Sequence, residues 1–325
     1  MNNKAVSYHH PVHFVLLLLL AISPDQSLSQ YDVNSQAFEF LRHFEGCRKG
    51  QDVEGLNEVK QYLNKFGYTI SSGETQHMND DVFDDVLEYQ IQAYQSNYHL
   101  EVTGILDAQT VKQMMVPRCG GSDTVYSTTF MGSNEKTHNH HREKRGSTAI
   151  NAASDRSFFP ENPPKIWSKT KLTYRLSNAT AGNVDTQMLE FVCARAFEKW
   201  AAVSDFNFER SDDADEAADI QIEFRKRNDI GDDLMDGPGG ILAYAFAPFD
   251  GRIYYDADDE WRANPWSNMD DDDLESVAMH EIGHVLGLGH SFEPNSVMFP
   301  LFPVGTTKRH LHGDDVQAIR ALYDF

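Results

Sequence analysis

Apolar residues return at three- and four-residue intervals from Val53 through Leu56, Val59 and Leu63 to Phe66, a spacing that predicts an amphipathic helix. A second stretch carries Val82, Val86, Tyr89 and Tyr94. A third, shorter one follows Asp107, a candidate cap, and places Val111 and Met114 on one face. Residues from about 34 to 116 therefore read as a small helical domain. The next thirty residues lose this periodicity, become rich in Ser, Thr, Gly and His, and end in "HNHHREKRG", a linker. Beyond it "KLTYRLS", "DIQIEFR", "ILAYAFA" and "RIYYD" alternate or run apolar as strands do. A long helical pattern spans about 184 to 202, and two more fall near 271 to 286 and 314 to 323. A crossover helix between strands suits parallel pairing, so the second domain is expected to mix sheet and helix. No tandem repeat interrupts this order.

The N-terminus changes the setting. Lys4, then "VLLLLLAI" from Val15 to Ile22, then small and polar residues through Ser27 and Ser29 have the order of a signal peptide covering residues 1–29. The apolar run is shorter than the roughly 20 residues that span a bilayer, so no membrane anchor is expected. A secreted, extracellular protein follows, and the sequon Asn178-Ala179-Thr180 fits that route as a glycosylation site. A formal net charge of -22 in 325 residues excludes a phosphate backbone or an anionic membrane as the default partner. Cys47, Cys119 and Cys193 are odd in number, so at least one thiol is free, paired between chains or bound to something. Cys193, inside "MLEFVCARAFEKW", reads as a small buried thiol, and a Cys47–Cys193 bridge stays open. In the linker, His138, His140 and His141 read as a solvated polar tract. The run Arg142-Glu143-Lys144-Arg145 resembles a proprotein-convertase site, which would cut after Arg145.

The chemistry concentrates in "HEIGHVLGLGHS". On a helix His280 and His284 project from one face, so both imidazoles can reach one zinc ion. Glu281 lies beside them, placed to take a proton from the attacking water instead of binding metal. Gly287 and Gly289 permit a left-handed exit that can swing His290 round as third ligand. Three protein ligands leave the open position a catalytic zinc requires. Met298, eight residues after His290, adds the Met-turn expected beneath the metal. HExxH alone is weak; with the added glycine, third histidine and methionine the pattern is specific. The acidic run Asp270 to Asp273 reads as carboxylates at a helix N-terminus.

On these residues the chain resembles the matrix metalloproteinases, the plant secreted type most closely. The resemblance rests on "PRCG" after a helical segment, "DGPGGILAYAFAP", "DLESVAMHEIGHVLGLGHS" and "SVMFP", and it covers nearly the whole chain after the signal peptide. It implies an α+β metzincin catalytic domain over 146–325, with a twisted, mostly parallel sheet and three helices, and no haemopexin-like domain. It further implies a propeptide over 30–145: a three-helix domain, a cysteine switch at 117–123 and a linker at 124–145. Within that switch Cys119 would be a fourth zinc ligand in the zymogen, and Arg118 would pair with Asp123 to hold the loop. Gly121 and Ser122 depart from the family's usual loop, which has proline at 122, and a looser latch is expected.

The resemblance also implies calcium, held by Asp236, Asp256 and Asp259 with the carbonyls of Gly237, Gly239 and Ile241. Asp259 stands where the family usually has glutamate. A second, structural zinc is expected to be absent, because its histidine positions fall at Asp229, Tyr244 and Tyr254 and its aspartate position at Gly231, beside Asp232. The implied activity is a zinc endopeptidase acting, as a monomer, on extracellular proteins or peptides. An extended substrate would add alongside "ILAYAFA", and residues from Phe299 to about Gly313 would wall a pocket for a hydrophobic side chain after the cut. A rival reading is an inactive zinc-bearing binding protein, against which Glu281 argues. Another is glycan binding by residues 53 to 115, since "GILDAQTVKQM" resembles peptidoglycan-binding modules.

Overall fold

Two kinds of periodicity become two cores in one compact unit, Val33–Phe325. The computed structural model describes residues 37–69, 77–124, 165–176, 180–182, 184–211, 217–227, 234–263 and 271–324. The expected signal peptide, the linker beyond residue 124 with its histidines and Arg145, and Asn178, Asp229, Gly231, Asp232 and Asp270 lie outside those residues.

The helical domain opens with a 3₁₀ turn, Glu39–Phe44, followed by α1 (Leu56–Lys65), α2 (Asp85–Asn97) and α3 (Ala108–Met114). Gly55, at φ 84°, starts α1, so Val53 precedes that helix. The N-termini of α2 and α3 are capped by carboxylates: Asp84 accepts from Leu87 N at 2.8 Å and Asp107 from Thr110 N at 2.9 Å. The buried face of α2 differs from expectation. Leu87, Ile91 and Tyr94 point inward while Val86 and Tyr89 are only partly buried and Val82 is exposed. The two faces share a period, and polar Gln90 and Gln95 decide between them. Their amides are buried because each satisfies a backbone carbonyl, of Tyr68 at 2.6 Å and of Ile105 at 3.0 Å.

In the second domain a six-stranded sheet runs in the order β1-β5-β6-β4-β2-β3. Its strands are β1 (Arg118–Cys119), β2 (Lys171–Leu176), β3 (Asn207–Arg210), β4 (Ile220–Arg225), β5 (Ile241–Ala245) and β6 (Arg252–Asp256). Every neighbouring pair is parallel except β5 and β6. The four foreseen strands are β2, β4, β5 and β6. No burial alternation marks β3, and β1 is two residues contributed by the segment before the linker. Helices α4 (Thr186–Ala201) and α5 (Leu274–Val285) pack on each other and on the sheet, and α6 (Gly313–Tyr323) closes the chain. A short pair, β7 (Trp261–Arg262) and β8 (Asp272–Asp273), leads into α5. Asp273 caps it, accepting from Ser276 N at 3.0 Å, which agrees with the N-terminal reading of the acidic run.

All twelve residues of α5 are buried. A helix buried all round must satisfy its polar side chains inside the protein, so His280, Glu281 and His284 need internal partners. The thiols of Cys47 and Cys193 are buried and unpaired, one in each core, so no bridge joins them. Among the described residues no helix is long and apolar enough to cross a membrane.

Candidate metal centre

The i, i+4 spacing on α5 brings the His280 and His284 rings to 4.6 Å between centroids. Gly287, at φ 95°, then ends the helix, and Leu288 N closes the turn on Gly283 O at 3.0 Å. Gly289, expected to share that left-handed exit, is not among the positive-φ residues. Past this turn His290 comes back beside the other two, with ring centroids 5.2 and 4.8 Å away.

Cys119 joins them from 165 positions earlier in the chain, its Sγ 3.4 Å from His284 Nε2. The four donor atoms of Cys119, His280, His284 and His290 lie within 4.8 Å of one another and all four residues are buried. His280 Nδ1 bonds Val297 O and His284 Nδ1 bonds Leu288 O, both at 2.7 Å. A carbonyl only accepts, so those Nδ1 atoms carry the protons and the lone pairs fall on Nε2. The Nε2 atoms of His280 and His290 are buried with no protein partner. Burial, reinforced by the neighbouring imidazoles, holds His280 well below the usual histidine range and lowers His284 to about 3. Three neutral imidazoles and a sulfur, converging with orphaned lone pairs, fit a zinc ion.

Glu281 is fully buried, and burial pushes it up to about 8, with the neighbouring Cys119 thiol opposing the rise. Met298 sits under α5, where a Cβ on Gly283 would collide with its Sδ. Asp315, not singled out by its sequence context, fixes the Met-turn. It is buried and accepts from Val297 N at 3.0 Å, Met298 N at 3.2 Å and His312 N at 2.7 Å. Its only local signal is its place in the capping box at the start of α6.

The segment carrying Cys119 lies between β5 and residues 300–302, which reach it through an isolated bridge from Leu301 to Arg118. On one side Arg118 N bonds Gly240 O at 2.7 Å and Gly120 N bonds Ala243 O at 2.8 Å, making the parallel β1–β5 pair. On the other, Cys119 N bonds Pro300 O at 2.9 Å and Phe302 N bonds Pro117 O at 2.7 Å. Phe302 also rests edge-on against His280, 5.2 Å between centroids. Phe299 and Leu301, expected in the pocket wall, pack instead into the core of the helical domain, Phe299 against Tyr98. Arg118 and Asp123 form a fully buried ion pair, and the Arg118 guanidinium lies 3.5 Å from the Phe66 ring centroid. Burial pushes Asp123 up, but Arg118 and His290 outweigh it and hold the carboxyl down at about 2.

The carboxylates of Asp236, Asp256 and Asp259 each accept from the same glycine-rich loop: from Ile241 N at 2.8 Å, Gly237 N at 3.1 Å and Gly239 N at 2.6 Å. Burial, with repulsion from neighbouring carboxylates, raises all three, Asp236 to about 7, and Asp259 Oδ2 is buried without a partner. That donor chemistry suits a hard cation. Among the described residues, however, only the histidine–cysteine set brings three or more ligating groups within 4.8 Å of one another. Tyr244 and Tyr254 face each other across β5 and β6. The Phe246 ring lies 5.0 Å from Tyr244 and 5.8 Å from Tyr254, and Arg252 covers Phe246 at 4.2 Å while donating to the Tyr254 hydroxyl at 3.0 Å.

Comparison with known proteins agrees with this geometry. The family pattern described as Matrixin matches residues 166–324, and one described as Putative peptidoglycan binding domain matches residues 52–114. The chain is 41% identical to Metalloendoproteinase 1 of Glycine max over 280 residues, 84% of this chain and 83% of the relative. With Metalloendoproteinase 2-MMP of Arabidopsis thaliana it shares 37% over 294 residues, 88% and 75% of the two chains. Neutrophil collagenase of Homo sapiens is 32% identical over 269 residues, 82% of this chain and 49% of the relative.

Proposed function

Because the chain belongs to the matrixin family of zinc metalloendopeptidases, we propose that it is a secreted zymogen whose helical domain and Cys119 block its own active site. The observation that carries this reading is the course of residues 117–120. They fill the groove between β5 and residues 300–302, where an extended substrate would add, and they deliver a thiol to the three histidines. A thiolate ligand there denies water the fourth position. Cleavage after Arg145 would release residues 30–145 and leave 146–325 as the mature enzyme. The match of residues 52–114 to a glycan-binding pattern is read as common ancestry of the scaffold, since this domain closes its core on Ile241, Phe299 and Leu301.

The residues divide the reaction as follows. His280, His284 and His290 would hold the zinc, with Met298 packed beneath α5. When bound, that ion supplies Lewis acidity toward the scissile carbonyl. Backbone groups of β5 pair with the substrate irrespective of its sequence and hold it extended. Glu281, next to the first of the three histidines, takes a proton from the attacking water and passes it to the leaving amine. Phe302, beside His280, gives the pocket after the scissile bond an apolar wall and a preference for a hydrophobic side chain.

Calcium would be held by Asp236, Asp256 and Asp259 with the carbonyls of Gly237, Gly239 and Ile241. One zinc per chain is proposed, because Tyr244 and Tyr254 replace imidazoles with phenols engaged by Phe246 and Arg252. The test combines zinc counting with cleavage of a generic peptide before and after removal of residues 30–145. The expected result is one zinc in both forms and cleavage only in the second. Equal cleavage by the intact chain would rule out the latch, and two tightly held zinc ions in the mature domain would rule out the single centre.

A further inference from the structure

The three histidines are not held alike. His280 and His284 each give their Nδ1 proton to a carbonyl of their own domain, Val297 O and Leu288 O. His290 Nδ1 instead lies 3.1 Å from Asp123 Oδ1, and both side chains are completely buried. The third ligand therefore has a carboxylate partner, and that partner belongs to the segment removed on activation.

The surroundings of Asp123 hold its charge in place. Its Oδ1 also accepts from Arg118, and its Oδ2 accepts from the phenols of Tyr98 at 2.8 Å and Tyr68 at 3.1 Å. Its backbone N is bonded to Phe66 O at 2.9 Å. Four donors from three parts of the fold thus converge on one buried carboxylate. A carboxylate behind an imidazole fixes the ring and makes the opposite nitrogen a stronger donor. Partners of this kind are worth about 10- to 100-fold in metal affinity.

We propose that Asp123 is a positioning residue for His290, so that the propeptide contributes two things to the metal centre, a thiol ligand and the carboxylate that strengthens the third histidine. Activation then removes both at once. The mature centre retains a less strongly donating His290, which leaves the bound ion more electrophilic as the open position appears. This inference rests on the latch reading and goes beyond it, because a latch built on Cys119 alone does not require Asp123 to touch a ligand.

The experiment uses the full chain carrying Glu281→Ala, which prevents self-cleavage, loaded with cobalt in place of zinc. The thiolate-to-cobalt absorption band reports whether Cys119 is engaged, and loss of the ion to EDTA reports how firmly it is held. Asp123→Asn keeps an oxygen acceptor but removes the charge. The expected result is a retained thiolate band with release accelerated about tenfold. The double variant Tyr68→Phe/Tyr98→Phe removes two braces of the loop without touching Oδ1, and its release rate should match the parent's. Unchanged release in Asp123→Asn, loss of its thiolate band, or equal acceleration in the tyrosine variant would each overturn the proposal by leaving Asp123 only a brace. Absence of the band in the parent would instead refute the latch itself.

Discussion

At the histidine–cysteine centre every donor is buried and neutral before metal binds, whereas around Asp236 burial, reinforced by neighbouring carboxylates, raises three acids on one glycine-rich loop. The first site is buried and built on a helix and its exit turn, so its geometry exists without the ion. The second is a loop whose carboxylates are costly to ionise where they are buried, so its ionised form needs a cation to be stable. A soft, preformed set and a hard, charge-dependent set should therefore respond differently to the same perturbation.

The largest expected effect is on chemistry at the first site. Glu281→Gln should lower peptide cleavage by the mature domain about 10²- to 10⁴-fold while leaving zinc content unchanged. Loss of zinc in that variant would place Glu281 among the ligands and erase the distinction between acid–base group and donor set.

Next comes the loop. In the calcium-depleted chain the folded-state pKa values of Asp236, Asp256 and Asp259 lie above the unfolded value of about 3.9, so the folded form binds more protons. Its stability is then full below about pH 4 and declines as the pH rises through about 7, the value Asp236 reaches. Calcium binds the ionised carboxylates and offsets that decline, by about 2.7 kcal/mol at a hundred times its Kd. Melting temperatures at pH 5 and pH 8, with calcium and with EGTA, check the sign. The gain from calcium should be larger at pH 8, and a gain equal at both would separate the loop from cation binding.

A smaller effect is expected at Tyr244 and Tyr254, where we propose that no second zinc binds. Arg252→Met removes the guanidinium from Phe246 and Tyr254 and should cost about 0.5–1 kcal/mol of stability in the mature domain, measured by urea unfolding. A cost near zero would mean the aromatic stack alone braces β5 and β6. The smallest concerns the latch. The missing proline suggested a loose loop, yet Asp123 N is tied to Phe66 O, Ser122 Oγ donates to Thr124 O at 2.9 Å, and the Thr124 hydroxyl donates to Gly67 O. Ser122→Pro should stabilise the latched state by only about 0.4–1 kcal/mol and slow self-activation several-fold. Unchanged autolysis rates would show that the backbone ties already do all that proline could.

Much of this protein was legible from the chain alone, wherever an effect is local. The pair His280 and His284 follows from helical spacing and His290 from a glycine exit. Glu281 follows from its place beside the first histidine, the cap at Asp107 from the side chain's reach to the next turn, and the acidic run before α5 from the charge preference of a helix N-terminus. The resemblance added the expectation that Cys119 joins them, and the fold brings it within 3.4 Å of His284. The inward face of α2 was misjudged because two faces satisfy one period, and the choice rests on carbonyls that only the packed domain presents to Gln90 and Gln95. Asp315 beneath the Met-turn and Asp123 behind His290 were beyond periodicity for the same reason. Sequence determined which side chains could hold a metal, since that depends on donor chemistry and local spacing. Only the tertiary structure decided which carboxylate stands behind which imidazole, because such a hydrogen bond joins residues whose separation along the chain carries no information about their distance.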